Sequence, residues 1–113
     1  MMCVHPMIPT DSRVFLVEGI FDMLRLQEAG LSAHCLFTCS RTDVVKMIEH
    51  FRVFGVTEVN ILFDNDKAGR EGAAKAARQI EKSYFVNILE LPEGVKDPAE
   101  LTNQQANDLY SRG

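Results

Sequence analysis

Apolar runs separated by helically spaced apolar residues dominate the chain. Val14-Phe15-Leu16-Val17 is a short, fully apolar run, the pattern of a buried parallel strand. After Glu18-Gly19 the spacing changes: Ile20, Met23, Leu24 and Gln27 fall on one helical face, and Gly30 stands where a helix ends in positive φ. His34 to Phe37 reads as a second strand, followed by a polar turn in which Ser40 or Thr42 caps a helix over about Asp43–Phe54. Val59 to Phe63 reads as a third strand and runs straight into Asp64-Asn65-Asp66. An Ala-rich helix from Lys67 or Ala68 to about Lys82 comes next, its small side chains allowing a close approach to a sheet. Phe85 to Leu89 is a fourth strand. Pro92-Glu93-Gly94 makes a turn, and Pro98 starts a last helix whose better half is Gln104–Tyr110.

Strands alternating with amphipathic helices predict an α/β fold with about four mostly parallel strands and helices on both faces. With 113 residues the chain suits a single domain over residues 13–113, after an irregular leader at 1–12. No apolar run reaches membrane-spanning length, and the start lacks the basic and apolar regions of a secretory signal. Three cysteines make a disulfide framework unexpected and a cytoplasmic setting the expectation. The net charge of −4 argues against a module that coats nucleic acid by charge alone.

In parallel sheets of this kind ligands bind outside the carboxyl ends of the strands. Acids gather there: Glu18 and Asp22 after the first strand, Asp64 and Asp66 after the third, and Asp97 beyond the fourth. Clustered carboxylates raise one another's pKa, and a cation removes that penalty. All-oxygen ligation by few carboxylates suits Mg²⁺ or Mn²⁺. Taken singly, most of these acids also have plainer roles. Glu18 can pair with Arg13 or Lys67, Asp22 can complement a helix dipole, and Asp66 and Asp97 can cap helices. Asp64, an acid directly after five strand residues with a second acid two positions on, is the hardest to explain without a ligand.

Other motifs fail on spacing. Asp64 to Gly69 begins like an EF-hand loop, but Ala68 and Lys75 stand where its fifth and twelfth ligands belong. A strand followed by Asp resembles a Walker B element, yet no phosphate-binding P-loop motif exists in the sequence. A phosphoacceptor receiver domain would need a fifth strand and helix after Leu101.

Three stretches together carry a resemblance: Val14 to Asp22 with Glu18-Gly19, Ile61 to Ala74 with Asp64-Asn65-Asp66 and Ala68-Gly69-Arg70, and Leu91 to Pro98 with Lys96-Asp97-Pro98. They resemble the Toprim domain, in the style of bacterial and phage primases and primase-helicases, over roughly residues 13–102. The family is shared by primases, topoisomerases, small nucleases and recombination proteins. The resemblance implies a compact Rossmann-like fold and Mg²⁺ held by Asp64 and Asp66, with Glu18 as general acid/base or as part of the metal shell. Asp22 and Asp97 match additional acidic positions of the primase type. Ala99 stands where primase-type domains often carry a further Asp, with Glu100 next to it. Phe37 to Arg41 lacks the usual Gly-Thr pair.

Lys67, Arg70 and Lys96 lie near the acidic rim as candidate phosphate or nucleic-acid contacts. Arg70 can reach a phosphate bidentately or pair with Glu71 or Glu18. Cys35, Cys39 and His34 lack the second pair a zinc site needs, so thiols in the core and a strand-edge histidine are expected. Tyr84 and Tyr110 are expected in core or surface roles. The expected function is Mg²⁺-dependent nucleotidyl transfer as the catalytic domain of a DNA primase-like protein. Nucleic acid, nucleotides and other primase, helicase or replication components are the expected partners. The alternatives are a metal- and nucleic-acid-binding module without turnover, or a small nuclease. Without the five rim acids the charge count is 12 basic against 11 acidic residues, so the acidity is concentrated in the site.

Overall fold

A computed structural model describes residues 11–35 and 41–112. Among these residues the elements are β1 (Arg13–Val17), α1 (Ile20–Glu28), β2 (Ala33–Cys35), α2 (Arg41–Val53), β3 (Glu58–Ile61), α3 (Lys67–Ile80), β4 (Phe85–Ile88) and α4 (Asn103–Arg112). The leader up to residue 10, the strand positions Leu36 and Phe37, and the loop with Cys39 and Ser40 lie outside the described residues, as do the side chains of residues 41–45 and 112.

The final helix differs from expectation. Pro98–Glu100 form a separate 3-10 turn, and α4 starts only at Asn103. Leu101 between them is extended and buried. A reciprocal cap restarts the chain: the Gln105 N–H donates to Thr102 Oγ1 at 3.1 Å, and the Thr102 N–H donates to Gln105 Oε1 at 2.9 Å. This Thr-x-x-Gln capping box satisfies two backbone donors at the start of α4.

The sheet is parallel throughout, in the order β2-β1-β3-β4. Side chains alternate across it. Val14, Leu16, Val59 and Ile61 pack under Met47 and Phe51 of α2 and under Ala73, Ala76, Ala77 and Ile80 of α3. Phe15, Val17 and Leu62 pack on the other face with Met23 and Leu26 of α1 and Leu109 of α4. The chain therefore moves from β1 outward to β2, then crosses over β1 to begin β3. The carboxyl ends of β1 and β3, adjacent in space, form the point where the strand order reverses, and in open α/β sheets that crevice is the binding position.

Three residues expected from the sequence to serve structure do so. His34 belongs to the edge strand β2, its ring buried and edge-on to Phe51 at 4.9 Å between centroids. Tyr84 is buried and donates its hydroxyl to the Ile48 carbonyl. Tyr110 donates its hydroxyl to Asp11 Oδ2 at 2.6 Å.

Gly30 and Gly55 end α1 and α2 at φ of 88° and 76°. In each case the glycine N–H and the N–H after it turn back into the helix: Gly30 to Gln27 and Leu31 to Leu26, Gly55 to Arg52 and Val56 to Phe51. These are Schellman caps, and Leu31 and Val56 drop into the core beside the residues whose carbonyls they bond. A Cβ at Gly30 meets nothing within 4 Å, so only its left-handed backbone opposes a side chain. Gly30→Ala is expected to lower stability by about 1 kcal/mol, read from the midpoint of urea unfolding.

Candidate functional site

The acids expected to work together converge on the reversal point through backbone contacts as well as proximity. Glu18 follows β1, and its Oε1 accepts from the Asp64 N–H at 2.9 Å. This bond joins the ends of the two central strands. It replaces the expected pairings of Glu18, because Arg13 pairs with Glu58 at 3.5 Å and Lys67 with Glu71 at 4.0 Å.

Asp66 caps α3. Its backbone is extended, its Oδ1 accepts from the Gly69 N–H at 2.6 Å, and its own N–H donates to the Asp64 carbonyl at 2.9 Å. One carboxylate oxygen is thus engaged in ending the turn, which leaves the other available. The plainer reading of Asp66 is therefore correct as far as it goes, and it also sets the loop that presents Asp64.

Asp97 arrives from a different direction. It sits before the Pro98 turn and makes no side-chain capping bond. Two contacts hold its loop against the rim. The Asn65 N–H donates to the Lys96 carbonyl at 2.8 Å, and Asp22 Oδ1 accepts from the Ala99 N–H at 3.0 Å. Asp22 is thus more than a helix-dipole residue. It is buried in the first turn of α1 and staples that helix to the loop carrying Asp97. Glu100, beside the position of the missing family acid, accepts from the Lys96 N–H at 3.0 Å and tightens the same loop.

The electrostatics centre on Asp64. Partial burial comes first, followed by the charges of Glu18, Asp22, Asp97 and Asp66, and together they push its carboxyl up to about 6. All four other acids singled out in the sequence therefore act on this one group. Burial, with the charges of Asp97 and Glu18, also holds Asp22 above the usual carboxylate range, against the N–H groups of Ala99 and Gly19 that favour its ionised form.

Among the described residues, Asp64 Oδ1 and Asp97 Oδ1 are buried without a hydrogen-bond partner. Buried acceptors of this kind are costly unless something fills them. No three His, Cys, Asp or Glu side chains among the described residues stand as a ready-made metal cage. The two unfilled carboxylate oxygens suit a cation that takes one or two carboxylates and completes its shell with water and phosphate, as Mg²⁺ does. The donor set and its two unfilled oxygens fit a small hard cation.

The cations divide. Lys67 is fully committed to solvent and to its weak pair with Glu71. Lys96 is exposed and contributes backbone contacts to the loop. Arg70 is exposed, has no ion pair among the described residues, and lines a cavity that also includes Asp64.

Two features of the site were not assigned a role from the sequence. One is the tie between Asn65 and Lys96, a backbone contact with no residue-type signal. The other is Gly69. A Cβ there would lie 2.1 Å from the Asp64 carbonyl oxygen, so the first turn of α3 can rest on Asp64 only without a side chain. A glycine in the first turn of an otherwise Ala-rich helix, where it lowers helix stability, was the available signal.

Similarity to known proteins agrees with this geometry. A model of the family described as Toprim-like matches residues 15–102. An uncharacterized protein of Mycoplasma pneumoniae is 34% identical over 96 residues, covering 83% of this chain and 45% of that protein. The DNA primase of Pseudomonas aeruginosa is 29% identical over 103 residues, 86% of this chain but 15% of the primase. The chain thus spans less than half the length of these relatives. Among solved structures, the zinc-binding and RNA polymerase domains of the Aquifex aeolicus primase match 93% of this chain and 26% of theirs, with TM-score 0.69 and 27% identity. A small Toprim-domain protein of Bacillus stearothermophilus matches 96% of this chain and 90% of its own, with TM-score 0.67 and 17% identity, a likeness of fold. No helix among the described residues is long and apolar enough to cross a membrane. With a matching family model over most of its length and the strand-end acids in one crevice, the chain belongs to the Toprim-like family and is a Toprim domain related to those of primases.

Proposed function

We propose that this domain carries out divalent-metal-dependent nucleotidyl transfer on nucleic acid, as the Toprim part of a DNA primase-like protein. The observation that carries the reading is the pair of unfilled buried oxygens on Asp64 and Asp97, set among acids that all act on Asp64. Toprim domains generally bind a divalent metal. Here Asp64 would hold it, with Asp97 or the second oxygen of Asp66 as the other carboxylate, and Mg²⁺ or Mn²⁺ is the ion that such a donor set favours. When bound, such an ion neutralises phosphate charge and supplies Lewis-acid polarisation.

The chain's own residues have separable tasks. Glu18 holds the Asp64 N–H through one oxygen and keeps the other for a proton at the reacting hydroxyl. Asp66 fixes the loop by capping α3, and Asp22 positions Asp97 through the Ala99 N–H. Arg70, with Lys67 and Lys96, offers positive charge to phosphates at the edge of the rim.

The test is direct. The protein is incubated with single-stranded DNA, nucleoside triphosphates and Mg²⁺, and also within the full-length gene product where that is longer. Labelled polymer is expected to depend on Mg²⁺, and Glu18→Gln should lower the rate by about 100-fold or more while cation binding persists. Cation binding without polymer in any form of the protein would replace this reading with that of a binding module. Cleavage of the strand in its place would indicate a nuclease.

A further inference from the structure

Beside the carboxylate rim, a cavity of about 390 Å³ opens between the first half of α3 and the end of β4. Its size falls at the lower end of the range for small-molecule sites. Asp64 belongs to both the rim and the cavity wall. We propose that this cavity receives the base and sugar of one nucleotide, whose phosphate is held by Arg70 at the edge of the rim. The inference rests on the proposed function and assigns a subsite to it.

The lining selects the ligand. Phe63, Ala73 and Ile88 form apolar walls, while Arg70, Asn65 and Glu90 bring a cation, an amide and a carboxylate to the same space. Ile88 is 52% exposed, a large apolar side chain on an edge strand that lines the cavity. Inorganic phosphate would leave the apolar walls unused. A purely apolar ligand would leave Arg70 and the polar edge unanswered. A flat heterocycle with hydrogen-bonding edges and an attached phosphate answers all three parts.

Beside Arg70, α3 lines the cavity with the small residues Gly69 and Ala73. Gly69 rests on the Asp64 carbonyl, and the position of a Cβ at Gly72 lies 3.6 Å from the Phe63 ring. Ala73 follows on the same stretch of helix. This part of α3 therefore offers backbone and methyl surface, against which a ring can lie at van der Waals distance.

The same chemistry is offered by a free nucleotide and by a nucleotide within a single strand. Backbone amide shifts are followed by NMR while adenosine monophosphate, or separately a short oligothymidylate, is titrated into the protein in Mg²⁺ and in EDTA. Shifts at Ala73, Ile88 and Leu89 are expected with at least one probe, tighter in Mg²⁺. The probe that binds more tightly identifies the source. Ile88→Ser and Arg70→Gln, both at exposed positions, should each weaken binding by about tenfold, without changing the circular dichroism spectrum. Shifts confined to the rim around Glu18 and Asp64, or unaltered affinity in both variants, would overturn the subsite and leave the proposed function standing. No shift with either probe would overturn it as well. Cavity binding that persists in a protein without turnover would instead count against the proposed function alone.

Discussion

Replacing Gly69 by alanine is expected to destabilise the domain by about 3 kcal/mol and to disorder the rim. The added Cβ would lie 2.1 Å from the Asp64 carbonyl oxygen, and neither partner can yield cheaply. That carbonyl accepts the Asp66 N–H, and the Gly69 N–H is itself held by Asp66 Oδ1. Both sides of the contact are therefore backbone locked into one turn. Relief requires α3 to lift away from β3, which would unseat Ala73 and Ala76 from the core. The midpoint of thermal unfolding should fall by roughly 10 °C or more for a domain of this size. Divalent-cation affinity should fall in parallel, since Asp64 and Asp66 lose their relative positions. Gly72→Ala makes a useful control. Its Cβ would touch the Phe63 ring at an ordinary 3.6 Å, so stability should be kept or slightly raised. Equal behaviour of the two variants would show that close approach is not the reason for glycine at position 69.

Asp64→Asn should have two opposite effects. Mn²⁺ binding, measured by calorimetry, should weaken by at least about 100-fold. Stability of the cation-free protein at neutral pH should rise. The native carboxyl titrates at about 6 against 3.8 when unperturbed, so the native state keeps its proton to higher pH than the unfolded chain. Between those values stability falls as pH rises, and the contribution present below about pH 4 is lost above about pH 6. The full shift corresponds to about 3 kcal/mol, and partial solvent exposure of the group reduces this to about 1–2 kcal/mol. Unfolding measured in EDTA from pH 4 to 8 should show this loss in the natural sequence and a flatter curve in the Asn variant. A saturating cation should recover the loss in the natural sequence only, by about 2.7 kcal/mol at a hundredfold excess over Kd. Unchanged Mn²⁺ affinity in Asp64→Asn would remove Asp64 from the proposed ligands.

Much of the fold was legible in local pattern. The apolar run at Val14–Val17, the helical spacing after it and the glycines at 30 and 55 placed the first strand and the helix ends close to where they lie. The last helix is less legible, because Pro98 is a good first residue for a helix while α4 begins only at Asn103. The signal for the true start was the capping pair Thr102 and Gln105, three residues apart. The apolar pattern carries the third strand to Phe63, while regular pairing with β4 stops at Ile61. Apolar content continues past the ladder because Leu62 still faces the core.

The candidate acids were legible as residues that follow strands. Their division of labour was not. Spacing places Asp66 at a helix start, but only the folded turn shows one oxygen committed to the Gly69 N–H. Asp22 and Asp97 lie far apart in sequence, and the Ala99 bond that joins their elements has no local signal. Long-range contacts of this sort depend on where the chain returns, which no short pattern encodes.

The sequence by itself determined the alternation of strands and helices, the placing of acids just after strands, and a concentration of negative charge at one set of positions. These are local properties, set by side-chain periodicity and by backbone preferences at caps and turns. Only the tertiary structure decided that β1 and β3 are neighbours. The crossover from β2 to β3 reverses the strand order there, and that adjacency lets Glu18 hold the Asp64 N–H. It also decided which oxygens are already engaged and which are left unfilled, because burial and hydrogen bonding arise only when distant segments pack together.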